Sequence, residues 1–452
     1  MSAEDLLDVA GRVLELAKQA GGGEADVIAS RGTEFEVKVA DGEIVTLTQA
    51  TSKGLGLRVF VDGRMGFCTT SDFQPDSLAH AVQRAVAMAK ETAADPHNGL
   101  PPELEPGRID SGEDLDLYDP AIAAVPAEDK IAWAHALEAA AREVDPRVNK
   151  FRDSGVSSGE SASVLVTSTG ATRTSRSTGI SVWCNPIAEE DGQLQTEFWY
   201  DSRTHLEDLE SIASVGRKAG ERAVRMLGAK PIPTQDVPVI FEPPMAAGLV
   251  AGILGAIDGD MVYKKASFLC DKLDQVIASE DLMVMDDPHL RRGLGSTPFD
   301  GEGLPTYPKT IIDHGRLTTF LYDSYTARKA GVKPTSNGRR GYAGPPHAGP
   351  FNFYVGGGEV PPEEILRSVP KALLVTRGLG RGVNAVSGEY SRGANGLWIE
   401  NGEIVHPVQE VTIAGDFIDI LRGIDAIGND LTMRGSTGAP TLRVAQMTVS
   451  GT

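Results

Sequence analysis

Apolar and polar positions divide the chain into two stretches of different texture. Over Ala3 to Ala20, Leu6, Leu7, Val9, Val13, Leu14, Leu16 and Ala17 recur at helical spacing, and Gly21-Gly22-Gly23 stops the run. Period-two alternation follows. Phe35, Val37 and Val39 alternate with polar residues up to Asp41-Gly42, and Ile44-Val45-Thr46-Leu47 returns, which predicts a hairpin. A second hairpin is predicted from GLGLRVFV, the Asp62-Gly63 turn and RMGFCTT. Residues 75–93 and 127–143 read as helices, and 205–228 as a long helix ending at Gly228. Between them, 94–119 is a surface connection rich in Pro, Gly and Asp, and 148–200 holds strands rich in Ser, Thr and Val.

The two prolines and lost periodicity of AKPIPTQDVP place a domain boundary near 230–236. Beyond it come a strand, VPVIFE, and a small-residue helix over 244–257 that is apolar nearly all round. Later strands include TIIDHGRLTTFLYD, KALLVTRGLG, GLWIENGEIVHPVQEVTIAG and TLRVAQMTVSG. The predicted class is α+β. Residues 1–232 form an N-terminal α/β domain with hairpins and long helices, and 233–452 an antiparallel β-rich domain. Internal similarity between the halves is not evident.

Composition narrows the possible partners. With 452 residues and 41% hydrophobic positions the chain can bury sizeable cores. Its 43 basic and 63 acidic residues leave a net charge of −20, a surface that repels phosphate backbones, so direct nucleic-acid binding is not expected. The opening MSAEDLLDVAGRVLELAKQ is acidic and amphipathic, unlike a signal peptide. No apolar run reaches the ~18–20 residues of a membrane span. Three scattered cysteines, Cys68, Cys184 and Cys270, fit a reducing cytoplasm.

The chemistry-bearing residues are sparse. Helical zinc sites place two His about one turn apart, yet the nearest histidines, His80 and His97, are 17 positions apart, and no C-x-x-C pair exists. Gly155-Val156-Ser157-Ser158-Gly159 matches the nucleophile elbow G-x-S-x-G, but an alternating strand follows it where a helix is required. Gly378-Leu379-Gly380-Arg381-Gly382 lacks dinucleotide-binding spacing and reads as a turn. Asp286-Asp287 and Asp300-Gly301-Glu302-Gly303 read as solvated turn acids. Asn337-Gly338-Arg339-Arg340-Gly341-Tyr342 is the most functional-looking polar stretch. Guanidinium forks suit carboxylates and carbonyls, although ordinary salt bridging fits the pair of arginines equally well.

Several segments resemble the TldD/PmbA family, named for modulation of DNA gyrase and containing zinc-dependent peptidases. They are SFLCDKL at 267–273, GSTPFDGEGLPT at 295–306, SYTARKAG at 324–331, and above all VSGEYSRGANGLWIENGEIVHPVQEVTIAGD at 386–416. The resemblance spans nearly the whole chain. It implies a helical His-Glu-x-x-x-His ahead of Gly259-Asp260, but those positions hold Val250, Ala251 and Gly255. It also implies a zinc-binding Cys near the C-terminus, where GNDLTMRGSTGAPTLRV has none. The chain thus resembles the PmbA (TldE) branch, the partner subunit without the metal; the SNGRR stretch is closer to the catalytic branch.

What the resemblance implies is a non-catalytic subunit of a TldD/TldE-type metallopeptidase complex that processes unfolded or leader peptides. No cofactor is expected on this chain, and zinc only in a TldD-like catalytic paralogue. The partner is that paralogue in a heterodimer, or a second copy in a homodimer. Asn337, Arg339, Arg340, Ser391 and Arg392 are the candidate peptide-binding residues. A stand-alone peptide-binding scaffold, or an enzyme using Asp260, Asp300 or Arg340 for non-zinc chemistry, would also fit the same residues.

Overall fold

The computed structural model describes residues 2–111, 114–380 and 382–451. The N-terminal half is built on one sheet of eight strands: β1 (Ala25–Ala40), β2 (Glu43–Val61), β3 (Arg64–Thr70), β4 (Gly107–Asp110), β5 (Val148–Thr167), β6 (Ala171–Glu190), β7 (Gln193–Thr196) and β8 (Trp199–Arg203). The order is β3-β2-β1-β5-β6-β4, with β7 and β8 also pairing β6. Four helices matter here: α1 (Ala3–Gln19), α2 (Pro75–Glu91) and, after the short α3 (Pro120–Ala124), α4 (Ala127–Arg142) and α5 (Ile212–Val224).

The parity of β1 explains the layering. Val27 and Ala29 pack under α1 and α2 with Leu6, Val13, Leu57 and Val82. Phe35, Val37 and Val39 pack under α4 and α5 with Leu137, Val182 and Val215. These residues share one parity and therefore one face of the strand, so all four helices cover one face of the sheet. The even residues, Asp26 among them, face the other way, toward the C-terminal half.

That half holds α6 (Pro243–Val250), α7 (Gly259–Tyr263), α8 (Ser324–Ala330), α9 (Pro362–Arg367) and α10 (Phe417–Arg422). Its strands are β9 (Gln235–Phe241), β10 (Val284–Asp286), β11 (Lys309–Asp313), β12 (Arg316–Leu317), β13 (Gly338–Arg339), β14 (His347–Ala348), β15 (Phe353–Val355), β16 (Lys371–Leu379), β17 (Glu389–Glu400), β18 (Glu403–Asp416), β19 (Ile424–Ile427), β20 (Thr432–Met433), β21 (Thr437–Ala439) and β22 (Leu442–Ser450). One sheet runs β18-β17-β16-β9-β22-β19, and a further β18–β22 pairing closes it on itself. A second runs β12-β11-β10-β15-β21-β20. Pairing is antiparallel except at β9–β16 and β15–β21. The fold is α+β with a β-rich C-terminal part, and both sheets and α6 enclose one large core that includes Phe241, Leu249, Val284, Trp398 and Phe417.

Three elements differ from their sequence reading. The two predicted N-terminal hairpins share a single 19-residue strand, β2. The helix expected over 205–228 is a 3-10 turn at Leu206–Asp208 followed by α5, because the Ser211 hydroxyl accepts from the Ser214 N–H and starts the helix anew. The helix expected over 244–257 ends at Val250 and passes through a 3-10 turn at Ala251–Ile253. Gly252 and Gly255 weaken that stretch, and Asp258 caps the next helix by accepting from the Asp260 N–H at 2.8 Å.

Gly216 sits where α5 crosses α4. A Cβ there would lie 2.3 Å from the Leu137 carbonyl oxygen and 2.9 Å from Ala140 Cβ. Alanine is the better helix former by about 1 kcal/mol, yet G216A is expected to lower stability by about 1–3 kcal/mol through overpacking. Urea denaturation measures it; an unchanged or higher midpoint would mean that the close crossing is not needed.

Candidate functional site

Two places in the fold gather polar chemistry. The first is the seam between the halves. Asp26 stands directly opposite Arg58 in the β1–β2 register. Arg58 donates through Nε to Asp26 Oδ2 at 2.9 Å and through Nη2 to the same oxygen at 2.5 Å. From the C-terminal half, Arg340 Nη1 donates to Asp26 Oδ1 at 2.7 Å. Glu302 Oε1 lies 3.7 Å from Arg58 Nη2. Burial favours the neutral form of Asp26, but Arg340 and Arg58 outweigh it and hold the carboxyl below the ordinary range.

Asp300 and Glu302, next to this network, are buried rather than solvated, which corrects the turn-acid reading. Asp286 is buried as well. Asp300 accepts from the N–H groups of Glu302, Leu304 and Gly338 at 2.9, 3.0 and 3.0 Å. Burial, and then the neighbouring Glu302, push Asp300 up to about 7, and burial likewise raises Glu302.

The second place is the α6 segment, where the sequence resemblance implies a metal motif. Pro243 and Pro244 start α6, where fixed φ and a missing N–H cost nothing. Val250 is buried in the core, Ala251 lines a cavity of about 280 Å³, and Gly255 is exposed, with room for a Cβ only 3.2 Å from Ala385 Cβ. The 428–444 stretch returns as β20 and β21 against α6 and supplies Thr432, Arg434 and Thr437 to the same cavity. Arg434 stacks on Trp199 at 4.0 Å, and its Nη1 donates to the Tyr200 carbonyl at 2.6 Å. These groups do not fit zinc. Aliphatic positions offer no lone pair, and the guanidinium on the wall, Arg434, is itself a cation that takes up Asp201 and Glu210 at 3.7 and 3.6 Å. Among the described residues no group of three or more His, Cys, Asp or Glu could hold a metal ion. What the cavity carries instead is Tyr200, Thr432 and Arg434, with the Thr432 hydroxyl donating to the Asp430 carbonyl at 2.9 Å.

The five candidate peptide-contacting residues fall in two separate places. Asn337 is fully buried and donates to Asp286 Oδ2 at 2.8 Å and to the Gly349 carbonyl at 3.0 Å. Arg340 has a buried side chain and belongs to the Asp26 network. Arg339 covers the Phe351 ring at 4.9 Å. Ser391 is exposed on β17. Arg392 lies over Gly378, where a Cβ would come within 2.4 Å of its Cζ, and a Cβ on Gly248 of α6 would sit 3.5 Å from its Nη1. Of the glycine-rich loop at 378–382, Arg381 lies outside the described residues. Sequence reasoning missed Asp26, Arg58, Tyr200 and Arg434. A charge inside each of the apolar runs ADVIA and GLGLRVFV was the available signal for the first two; Tyr200 and Arg434 meet only through long-range folding.

A carboxyl whose value is raised by folding contributes stability that is full below its ordinary range and is lost as pH rises through the folded value. Wild-type stability should therefore decline from near 3.8 toward about 7, and Asp300→Asn should flatten that slope whatever it does to absolute stability. Denaturant midpoints across this range report it, and parallel profiles would show that Asp300 is not the titrating group.

Comparison with known proteins agrees with this architecture. Family models described as PmbA/TldA metallopeptidase domain 1, central domain and C-terminal domain match residues 25–89, 120–227 and 234–451. The chain is 35% identical to Metalloprotease PmbA of Escherichia coli O157:H7 over 438 residues, covering 97% of this chain and 94% of that one. It is 32% identical to the Metalloprotease PmbA homolog of Haemophilus influenzae, covering 99% and 96%. A solved structure from Thermotoga maritima, described as a proposed modulator of a DNA gyrase, superposes with a TM-score of 0.89 at 28% identity, covering 98% and 99%. TldE from Thermococcus kodakarensis, at 22% identity, shares the fold with a TM-score of 0.86, covering 98% and 100%. Candidate cavity aside, three domain matches in order and two full-length relatives above 30% identity place this chain in the PmbA/TldD metallopeptidase family.

Proposed function

We propose that this chain is the non-catalytic subunit of a peptidase complex that processes unfolded or leader peptides. The reading rests on Val250, Ala251 and Gly255 at the positions where the family resemblance implies zinc ligands and a general base, with Ala251 and Arg434 lining one cavity. Hydrolysis of an amide needs an activated water, and neither a metal ligand set nor the Glu is available at these positions. The zinc belongs to a paralogue bearing His-Glu-x-x-x-His, and this chain supplies an opposite wall of the cavity. Tyr200, Thr432 and Arg434 support that role, because hydrogen bonds to peptide main-chain oxygens bind without reading side chains. Arg392, close to Gly248 of α6, extends that surface, while Ser391, its neighbour on β17, is a candidate contact on the strand's opposite face. The three cysteines are free, as suits a cytoplasmic protein, and no helix among the described residues is long and apolar enough to cross a membrane.

In this reading the face of α6 left outside the chain's own core, with Gly248 exposed on it, forms the dimer interface together with the C-terminal half, with the paralogue as partner or a second copy when the chain is alone. Obligate interfaces bury more than ~2,000 Å², so the dimer should persist on dilution to nanomolar concentration. Elemental analysis of chelator-free protein is expected to give substoichiometric zinc, and the isolated chain is expected not to cleave unstructured peptides. Stoichiometric zinc whose removal abolishes an activity of this chain would overturn the subunit role. Sedimentation as a monomer at micromolar concentration, both with and without the paralogue, would overturn the assembly.

A further inference from the structure

Among the described residues the outward edge of β2 has no strand partner over 43–53. Its inner edge pairs with β1 from Glu43 to Val59, while β3 covers only Leu55–Val61. No other described strand joins β2. Within this window every residue but Thr46 is exposed, including Ile44 at 46%, Val45 at 57% and Leu47 at 55%. A long edge with free N–H and C=O groups is a template for another strand, and proteins ordinarily blunt such edges with Pro, Lys, bulges or short length. Residues 44–52, IVTLTQATS, contain no proline and no charge. The single register shift against β1 lies at the turn end, near Lys38 and Val39.

The segment is complementary to itself. Its only charges are Glu43 at one end and Lys53 at the other. Antiparallel pairing of two copies about Thr48 sets Glu43 of each opposite Lys53 of the other, Val45 opposite Thr51, and Leu47 opposite Gln49. Opposite charges and β-branched pairs directly across strands are favourable, whereas a parallel arrangement would place like charges together. A two-fold axis at Thr48 closes the contact, as a dimer interface must. The charge distribution points the same way. Two chains of net charge −20 repel, and this uncharged window is where their surfaces can meet.

We infer that the 43–53 edge of β2 pairs antiparallel with the same edge of a second copy of this chain, centred on Thr48, joining two eight-stranded sheets into one. This contact is separate from the C-terminal interface of the proposed function and does not rest on it; both together would bring two peptidase complexes back to back.

Residues directly opposite across antiparallel strands have Cα atoms about 4.5–5.5 Å apart, inside the disulfide window of about 4.4–6.8 Å. On mild oxidation Thr48→Cys should therefore give a covalent dimer, while wild type and Lys38→Cys, on the inner strand, should not. Val45→Cys and Thr51→Cys should cross-link poorly alone and efficiently when mixed. Folded Thr48→Cys that cross-links no faster than Lys38→Cys would overturn the inference. So would an unstructured peptide in excess that suppresses the cross-link and couples to Cys at position 48 through its own thiol, since the edge would then take extended peptides. Neither result touches zinc content or pairing with the paralogue, so this inference can fail while the proposed function stands.

Discussion

Asp26 ties the molecule together. Its carboxylate is buried between a guanidinium from the neighbouring strand and one from the other half of the chain. Removing one partner of such a group leaves a buried charge without compensation, at a cost of about 3–5 kcal/mol. The arrangement therefore fixes how the C-terminal half sits on the open face of the N-terminal sheet. Other bonds cross the same seam: Arg173 Nε to the Gly303 carbonyl at 2.7 Å, and Arg328 to the carbonyls of His97, Gly99 and Leu100. Tyr342 fits over Gly54 and Gly56, where any Cβ would collide with it. The seam is polar, directional and specific to one orientation, unlike the apolar cores on either side.

That fixed orientation shapes the candidate cavity. Tyr200 comes from the N-terminal sheet, Ala251 from the end of α6, and Arg434 from the returning β20–β21 hairpin. The wall of that cavity combines aliphatic and glycine positions of the α6 segment with a guanidinium from the hairpin. Val250 and its neighbours Leu249 and Ile253 belong to the large C-terminal core.

Much of the fold was legible because it is local. The alternation of Phe35, Val37 and Val39 gave both the strand and its buried face, and Asp41-Gly42 and Asp62-Gly63 gave the turns, each Asp and Gly adopting positive φ. The segment after Val250 was not legible, since a run that is apolar all round has no phase to mark its end, and its glycines weaken the helix only in sum. Asp300 and Glu302 sit in glycine-rich turn sequence, which describes their backbone correctly but not their burial, because the residues that cover them are far away in the chain. The five candidate binding residues illustrate the same limit. Arginine chemistry in NGRRGY was recognisable, but only the fold shows Arg340 committed to Asp26 and Asn337 to Asp286.

The most direct measurement is reconstitution with a purified paralogue carrying His-Glu-x-x-x-His. Peptide hydrolysis is followed for each chain alone and for the mixture, with zinc counted in the isolated complex. A non-catalytic subunit predicts no turnover by this chain, full turnover only in a stable complex, and one zinc bound by the paralogue. Hydrolysis by this chain alone, or a fully active paralogue that neither binds it nor responds to it, would contradict the subunit role.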